Sequence, residues 1–295
     1  MTTSDSPSIP NTQLRLGRIS YLNVLPLFDA LVRDFPESPG LTYVSGHPSE
    51  LNAALLQGGI DLAPASAFAY LANPGPFRLL PGLSISAADG PIQSVLFVSP
   101  VALENLPAYL EKTGNLIHLS QASASSVALL KVLWRFAWNL PEAQFSVIAP
   151  GAGAGLGRPF VEIGDAALRL YLDPPAGWHV IDLGLAWKRF TNLPFVFAVW
   201  IVRRDLSAGQ AATLSRLAAD LAAIKANLPR TLPRLIADHP APPWLSKAAL
   251  ASYFEVVCYD FDEQRRAALN LFGDYCERLG LIENIPVLDW HPTTP

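Results

Sequence analysis

The chain has few of the residues on which disulfide, metal or nucleic-acid chemistry depends. It holds one methionine and two cysteines, Cys258 and Cys276, in 295 residues. Two thiols in helical-looking segments read as reduced and buried, not as a disulfide framework. Its five histidines are His47, His118, His179, His239 and His291. None stands at ligand spacing from another His, Cys or carboxylate, so no metal site is expected. His118, inside the apolar "LIHLS", reads as a packed core residue. Charge is sparse as well: 16% of residues are charged, the net charge is −4, and Lys and Arg are scattered. That balance offers no basic face, and nucleic acid is excluded as a partner. Long apolar runs are missing too. The longest, Pro194 to Val202, is far short of the roughly 18 residues a membrane helix requires, so no membrane insertion is expected. The opening "MTTSDSPSIPNTQ" contains no apolar signal core. Residues 1–11 are expected to form a flexible tail on a cytoplasmic protein.

What is present is apolar and regularly punctuated. With 51% apolar residues, the chain can fill a large core. Strand-like and helix-like segments alternate over the first 200 residues, which predicts an α/β fold with mostly parallel sheets. "LRLGRIS" reads as a strand leading into a helix over about 24–34. "LTYVSG", "IDLAPAS", "FRLLPGLSIS" and "IQSVLFVSP" read as further extended segments. A second series follows with "LIHLS", a helix in "SASSVALLKVLWRFAWNL", "FSVIAP", "VEIGDAALRLYL" and "HVIDLGLAWKRF". From Ser207 the pattern is helical, the clearest helix being "AGQAATLSRLAADLAAIKANL". Extended crossings near 93–99 and 195–203 bracket the middle third. The expected architecture is therefore two lobes with a cleft between them: residues 12–94 and 200–295 in one, 95–199 in the other. No internal sequence repeat is visible. The glycine-rich "GAGAGLGRP" fails the G-x-G-x-x-G spacing and is followed by a strand, so it predicts a flexible surface loop and not a nucleotide site. G-x-S-x-G and P-loop motifs are absent.

In open α/β lobes, ligands bind beyond the carboxyl ends of the strands, where helix N-termini present free N–H groups to anions. Small hydroxyl and amide residues cluster at those handovers here: Ser20 and Asn23, Ser66, Ser84 and Ser86, then Ser120, Ser123, Ser125 and Ser126. The four serines of "LSQASASS" are denser than capping requires and read as a cradle for a small acid. Asn23 is the most telling. If it caps the following helix, position N3 is Pro26, which has no N–H. Part of its amide is then left for a ligand; a plain cap is the alternative. Asp89 sits in the turn "DGP" and reads as structural. Asp165 reads as the cap of "AALRLYL".

The stretches "GRISYLNVLPLF", "PSELNAALLQGGIDLAPASAFAY", "LLPGLSISAADGPIQSVLFVS", "LSQASASSVALLKVL", "VEIGDAALR" and "DLGLAWKRFTNLPFVFAVWIVR" together resemble the chorismate dehydratase family of the futalosine route to menaquinone. The Ser-Tyr-Leu-Asn motif at 20–23 is its most distinctive mark. The resemblance implies a type II periplasmic-binding-protein fold and a cofactor-independent hydro-lyase. Such an enzyme takes the small dianion chorismate to 3-[(1-carboxyvinyl)oxy]benzoate by loss of water, as a monomer or homodimer. It implies Asn23 as the catalytic residue, with Tyr21, Asp165 and the serines above as substrate contacts. The substrate's own enolpyruvyl carboxylate would accept the proton, ahead of Asp89 or Asp165. Two departures stand out: Ala87-Ala88 replaces a stretch where the family usually has a serine, and the loop at 151–157 is unusually glycine-rich. Three rival readings are the 1,4-dihydroxy-6-naphthoate synthase of the same route, an exported small-acid-binding protein and a ligand-sensing regulatory domain. Against them stand the motif, the polar N-terminus and the lack of room for a helix-turn-helix.

Overall fold

A computed structural model describes residues 13–121 and 123–292; the expected N-terminal tail lies outside them. In chain order the first elements are β1 (Leu14–Ile19), α1 (Leu25–Asp34), β2 (Leu41–Gly46), α2 (Pro48–Leu56), β3 (Leu62–Ser66), α3 (Ala67–Ala72) and β4 (Phe77–Ala87). Then come β5 (Val95–Ser99), α4 (Leu106–Thr113), β6 (Leu116–Ser120), α5 (Ala124–Val132), β7 (Gln144–Ile148), β8 (Phe160–Ile163), α6 (Gly164–Leu172), β9 (His179–Asp182) and α7 (Leu183–Thr191). The chain closes with β10 (Val196–Arg203), α8 (Ala208–Asp238), α9 (Lys247–Val256), β11 (Val257–Cys258) and α10 (Glu263–Arg278).

The strands form two sheets, one of six strands in the order β11-β4-β10-β3-β1-β2 and one of five in the order β7-β6-β8-β5-β9. β1 pairs in parallel with β2 and β3, and β6 with β7 and β8. In each sheet an internal strand runs against both neighbours, β10 between β3 and β4, and β5 between β8 and β9; the edge strand β11 also runs antiparallel to β4. Apart from β11, the two sheets thus repeat one topology, although the sequence shows no repeat. The antiparallel strand of each is the segment that has just crossed from the other lobe. The sequence boundary at 199/200 falls inside β10, all of which belongs to the six-stranded sheet.

Burial explains why these segments became strands. β3, β5 and β8 are buried at every position, and β10 at all but its last residue, as expected for strands covered on both faces. Three local readings change. The clear helix expected to end near Leu228 continues as α8 to Asp238, through Pro229 and Pro233. Its far half is largely exposed, where prolines displace no core packing. Cys258, expected in a helix, lies in the two-residue strand β11 paired with β4. The glycine-rich segment is packed at its base: a Cβ on Gly153 would stand 2.1 Å from the Phe160 ring, and Gly151 N–H donates to Glu162 at 2.8 Å.

The helices after β10 mostly cover the six-stranded sheet, α8 against α1 and α10 against α3 and β10. α10 also reaches the other lobe. Phe272 and Tyr275 pack edge-on against Trp187 of α7, which gives the hinge side an aromatic core.

Candidate active site

Between the sheets lies a cavity of about 60 Å³. Four helix starts converge on it, through Pro48 of α2, Ser66 before α3, Ser123 before α5 and Gly164 at the head of α6. A helix start carries up to about half a positive charge, although several first-turn N–H groups here are already taken: Phe68 by Ser125, Ala69 by Ser66, Ser126 by Ser123 and Gly164 by the Ser94 carbonyl. Tyr21, Asn23, Ser94 and Ser126 complete the polar lining, and Ile19, Ile85, Ile92, Val95, Ile163 and Phe197 supply apolar walls. None of the lining residues is Asp, Glu, His, Lys or Arg. The site therefore offers hydrogen bonds, helix dipoles and a flat apolar slot, with no side-chain cation and no side-chain base.

Asn23 does not cap the helix. Leu22–Val24 form a 3-10 turn ahead of α1, and α1 begins at Leu25 with no side-chain cap. The backbone carbonyl of Asn23 accepts from the Tyr259 hydroxyl at 2.8 Å. Its side-chain Oδ1 is buried with no hydrogen-bond partner. A buried acceptor left unpaired costs about 1–3 kcal/mol, so the fold maintains this one at a loss.

Ser123 and Ser126 are three apart on one helical face. Both reach the cavity, joined Oγ to Oγ at 2.9 Å, with Ser126 N–H donating to Ser123 at 3.2 Å. Ser125 points elsewhere. Fully buried, it crosses the cleft to meet Ser66 Oγ at 2.7 Å and accepts from Phe68 N–H at 3.1 Å. Ser66 lines the cavity while also capping α3 through Ala69 N–H. Ser125 thus seals one wall of the cavity from behind Ser66.

Other candidates are not brought to the cavity, and strand alternation accounts for two of them. Ile85 faces in, so Ser84 and Ser86 face out to the C-terminal segment. Ser84 bonds Asp260 O, while Ser86 donates to Cys258 O at 3.2 Å and accepts from Arg265 Nε at 2.7 Å. Ser20 is exposed, Ile19 and Tyr21 on either side of it facing the cavity. Ser120 is buried at the end of β6 away from the lining. Asp89 is exposed and paired with Lys188 at 2.7 Å. Asp165 does not line the cavity either; its Oδ1 accepts from Leu22 N–H at 3.0 Å across the cleft. His118 is buried in β6 and bonded to Ser146 Oγ at 2.6 Å, and burial holds its pKa below the usual imidazole range.

Sequence reasoning passed over Ser94 and Gly164. Ser94 lies at the first crossing, where its Oγ accepts from Tyr253 OH at 2.9 Å and its carbonyl from Gly164 N–H at 2.8 Å. Gly164 has φ +65°, and a Cβ there would stand 3.0 Å from the Tyr21 ring. The "IGD" before a helix was the available signal. The Tyr21 phenol is pushed up to about 12, by burial first and then by Asp165, Glu162 and Glu50; it is a neutral donor at ordinary pH. Among the described residues, no cluster of three or more His, Cys, Asp or Glu is placed to hold a metal ion, and no helix is long and apolar enough to cross a membrane.

A family model described as menaquinone biosynthesis matches residues 14–278. The chain belongs to that family. It is 32% identical over 209 residues to the chorismate dehydratase of Thermus thermophilus, an alignment covering 64% of this chain and 70% of that one. With the chorismate dehydratase of Campylobacter jejuni it shares 31% over 186 residues, covering 62% and 64% respectively. Among solved structures, the alkanesulfonate-binding protein SsuA from Xanthomonas axonopodis pv. citri superimposes with a TM-score of 0.65 at 19% identity, over 96% of this chain and 97% of that one. The fold of this menaquinone-biosynthesis protein is thus periplasmic-binding-protein-like.

Proposed function

We propose that the protein is a chorismate dehydratase, a hydro-lyase that converts chorismate to 3-[(1-carboxyvinyl)oxy]benzoate and water. The observation that carries the reading is the unpaired amide oxygen of Asn23, held in a cavity whose polar atoms are hydroxyls and helix starts. Such a site suits a small dianion with an uncharged ring: the N–H groups and serines take the carboxylates, and the isoleucines and Phe197 flank the ring. At about 60 Å³ the cavity is smaller than ordinary small-molecule sites, which start near roughly 300 Å³. The lobes must part to admit substrate and close upon it, breaking and remaking the Ser66–Ser125 and Leu22–Asp165 bonds.

Elimination removes a ring C–H proton and expels the neighbouring hydroxyl as water once protonated, while the C–H electron pair enters the ring and makes it aromatic. No lining side chain can take the proton, which supports the substrate's own enolpyruvyl carboxylate as acceptor. The proton is then passed to the departing hydroxyl. Asn23 orients the reacting centre, and closure removes the water that would compete for its hydrogen bonds.

The test is to incubate purified protein with chorismate alone and follow the enolpyruvyl benzoate by mass spectrometry. Product without any added factor is expected. Its absence, with chorismate intact, would refute the reading and favour a sister enzyme of the route or a binding protein.

A further inference from the structure

We infer that Asp165, from the lobe opposite, is a positioning residue that sets Asn23 only when the cleft is shut; the inference rests on the dehydratase reading above. Asn23 sits in the 3-10 turn Leu22–Val24, and that turn is tied on two sides. Within its own lobe, the Tyr259 hydroxyl donates to Asn23 O at 2.8 Å. From the other lobe, Asp165 Oδ1 accepts from Leu22 N–H at 3.0 Å. The two partners are 143 residues apart in sequence.

The Tyr259 tie survives any movement of the lobes, whereas the Asp165 tie exists only in the closed form. Asp165 does not line the cavity and has no part in the chemistry derived above. Its carboxyl is partly buried, and burial raises its pKa, so the fold carries a cost to keep it there. The adjoining residue reinforces the contact: Gly164 brings the head of α6 so close to the Tyr21 ring that a Cβ there would stand 3.0 Å from it. Closing the cleft therefore does two things together, fixing the backbone on one side of Asn23 and seating its neighbour Tyr21. An Asn held in this way is aligned after substrate is enclosed and released when the lobes part.

What the Leu22 N–H needs is an acceptor, not a charge. Asp165→Asn keeps one and Asp165→Ala does not. Without it, closure leaves a buried donor unpaired, which disfavours the closed form by roughly tenfold to a hundredfold. The experiment compares wild type, Asp165→Asn and Asp165→Ala by steady-state turnover of chorismate, with small-angle scattering of the substrate-free proteins. Asp165→Asn should keep kcat within about threefold. Asp165→Ala should lose kcat at least tenfold, at an unchanged melting temperature, and show a larger radius of gyration. Equal loss of kcat in both variants, or loss in neither, overturns the proposal. If wild type fails to convert chorismate, the dehydratase reading falls and scattering alone decides the latch. A larger radius of gyration confined to Asp165→Ala then supports it, and a radius equal to wild type overturns it.

Discussion

Replacing Asn23 by alanine should make the protein more stable and almost inactive. Oδ1 of Asn23 is buried and unpaired, and leaving a polar atom so costs about 1–3 kcal/mol. Alanine removes the atom and its cost together. The tie from Tyr259 goes to the backbone carbonyl and is untouched by the change. A domain of this size class gains roughly 2–4 °C in Tm per kcal/mol, so Asn23→Ala should melt a few degrees above wild type. Turnover should fall by about 10² or more, since misplacing a reacting centre costs that much; the loss corresponds to about 2.7 kcal/mol of barrier. Both quantities come from one preparation, by calorimetry without ligand and by product formation from chorismate. A variant that melts several degrees lower yet turns over normally would show the amide to be structural and would remove Asn23 from the mechanism.

Gly164→Ala must adopt φ +65° with a Cβ 3.0 Å from the Tyr21 ring. It should lose about 1–2 kcal/mol from the left-handed backbone alone, read by urea unfolding, and a crystal structure should show Tyr21 displaced. Glu162 is buried, and burial raises its pKa against the bonds it receives from Ile163 and Gly151 N–H. A raised carboxyl contributes stability that is fully present below its ordinary pKa near 4.3 and is lost as pH rises through the raised value. Wild type should therefore lose stability across that window and Glu162→Gln should lose less, while equal slopes would contradict the argument. Asp89 is exposed and pairs with Lys188 at the surface, so Asp89→Ala should leave turnover and melting temperature unchanged; a marked loss of activity would return Asp89 to the list of bases.

Much of the fold could be read from local pattern. Some strand-to-helix handovers carried a marker, such as Ser66 before α3 or Ser123 before α5, and the mostly apolar "VLFVS" read as an extended segment, which it is. What could not be read depends on contacts between distant residues. Ser125 and Ser126 are adjacent and alike in sequence; only the position of α3, about 60 residues away, sends one across the cleft and leaves the other in the cavity. Ser84 and Ser86 looked equivalent to Ser66 until β11 paired with β4 and gave their hydroxyls partners. Asp165 had the signature of an ordinary cap, and nothing near it in sequence pointed to Leu22. The reading of Asn23 failed in its premise: a 3-10 turn shifts the start of α1, Asn23 is not the cap and Pro26 is not its N3, so the unpaired Oδ1 does not follow from the missing N–H of Pro26.

The crossing strands also dictate an order of events during synthesis. Every strand of the five-stranded sheet lies between Val95 and Asp182, so that half can assemble while the ribosome is still at work. The six-stranded sheet cannot: β10 inserts between β3 and β4, and β11 follows some fifty residues later. Until then the nascent chain carries one open edge on β3 and two on β4 beside a finished neighbour, an aggregation hazard. Truncation before Val196 should therefore yield one folded half and one sticky one.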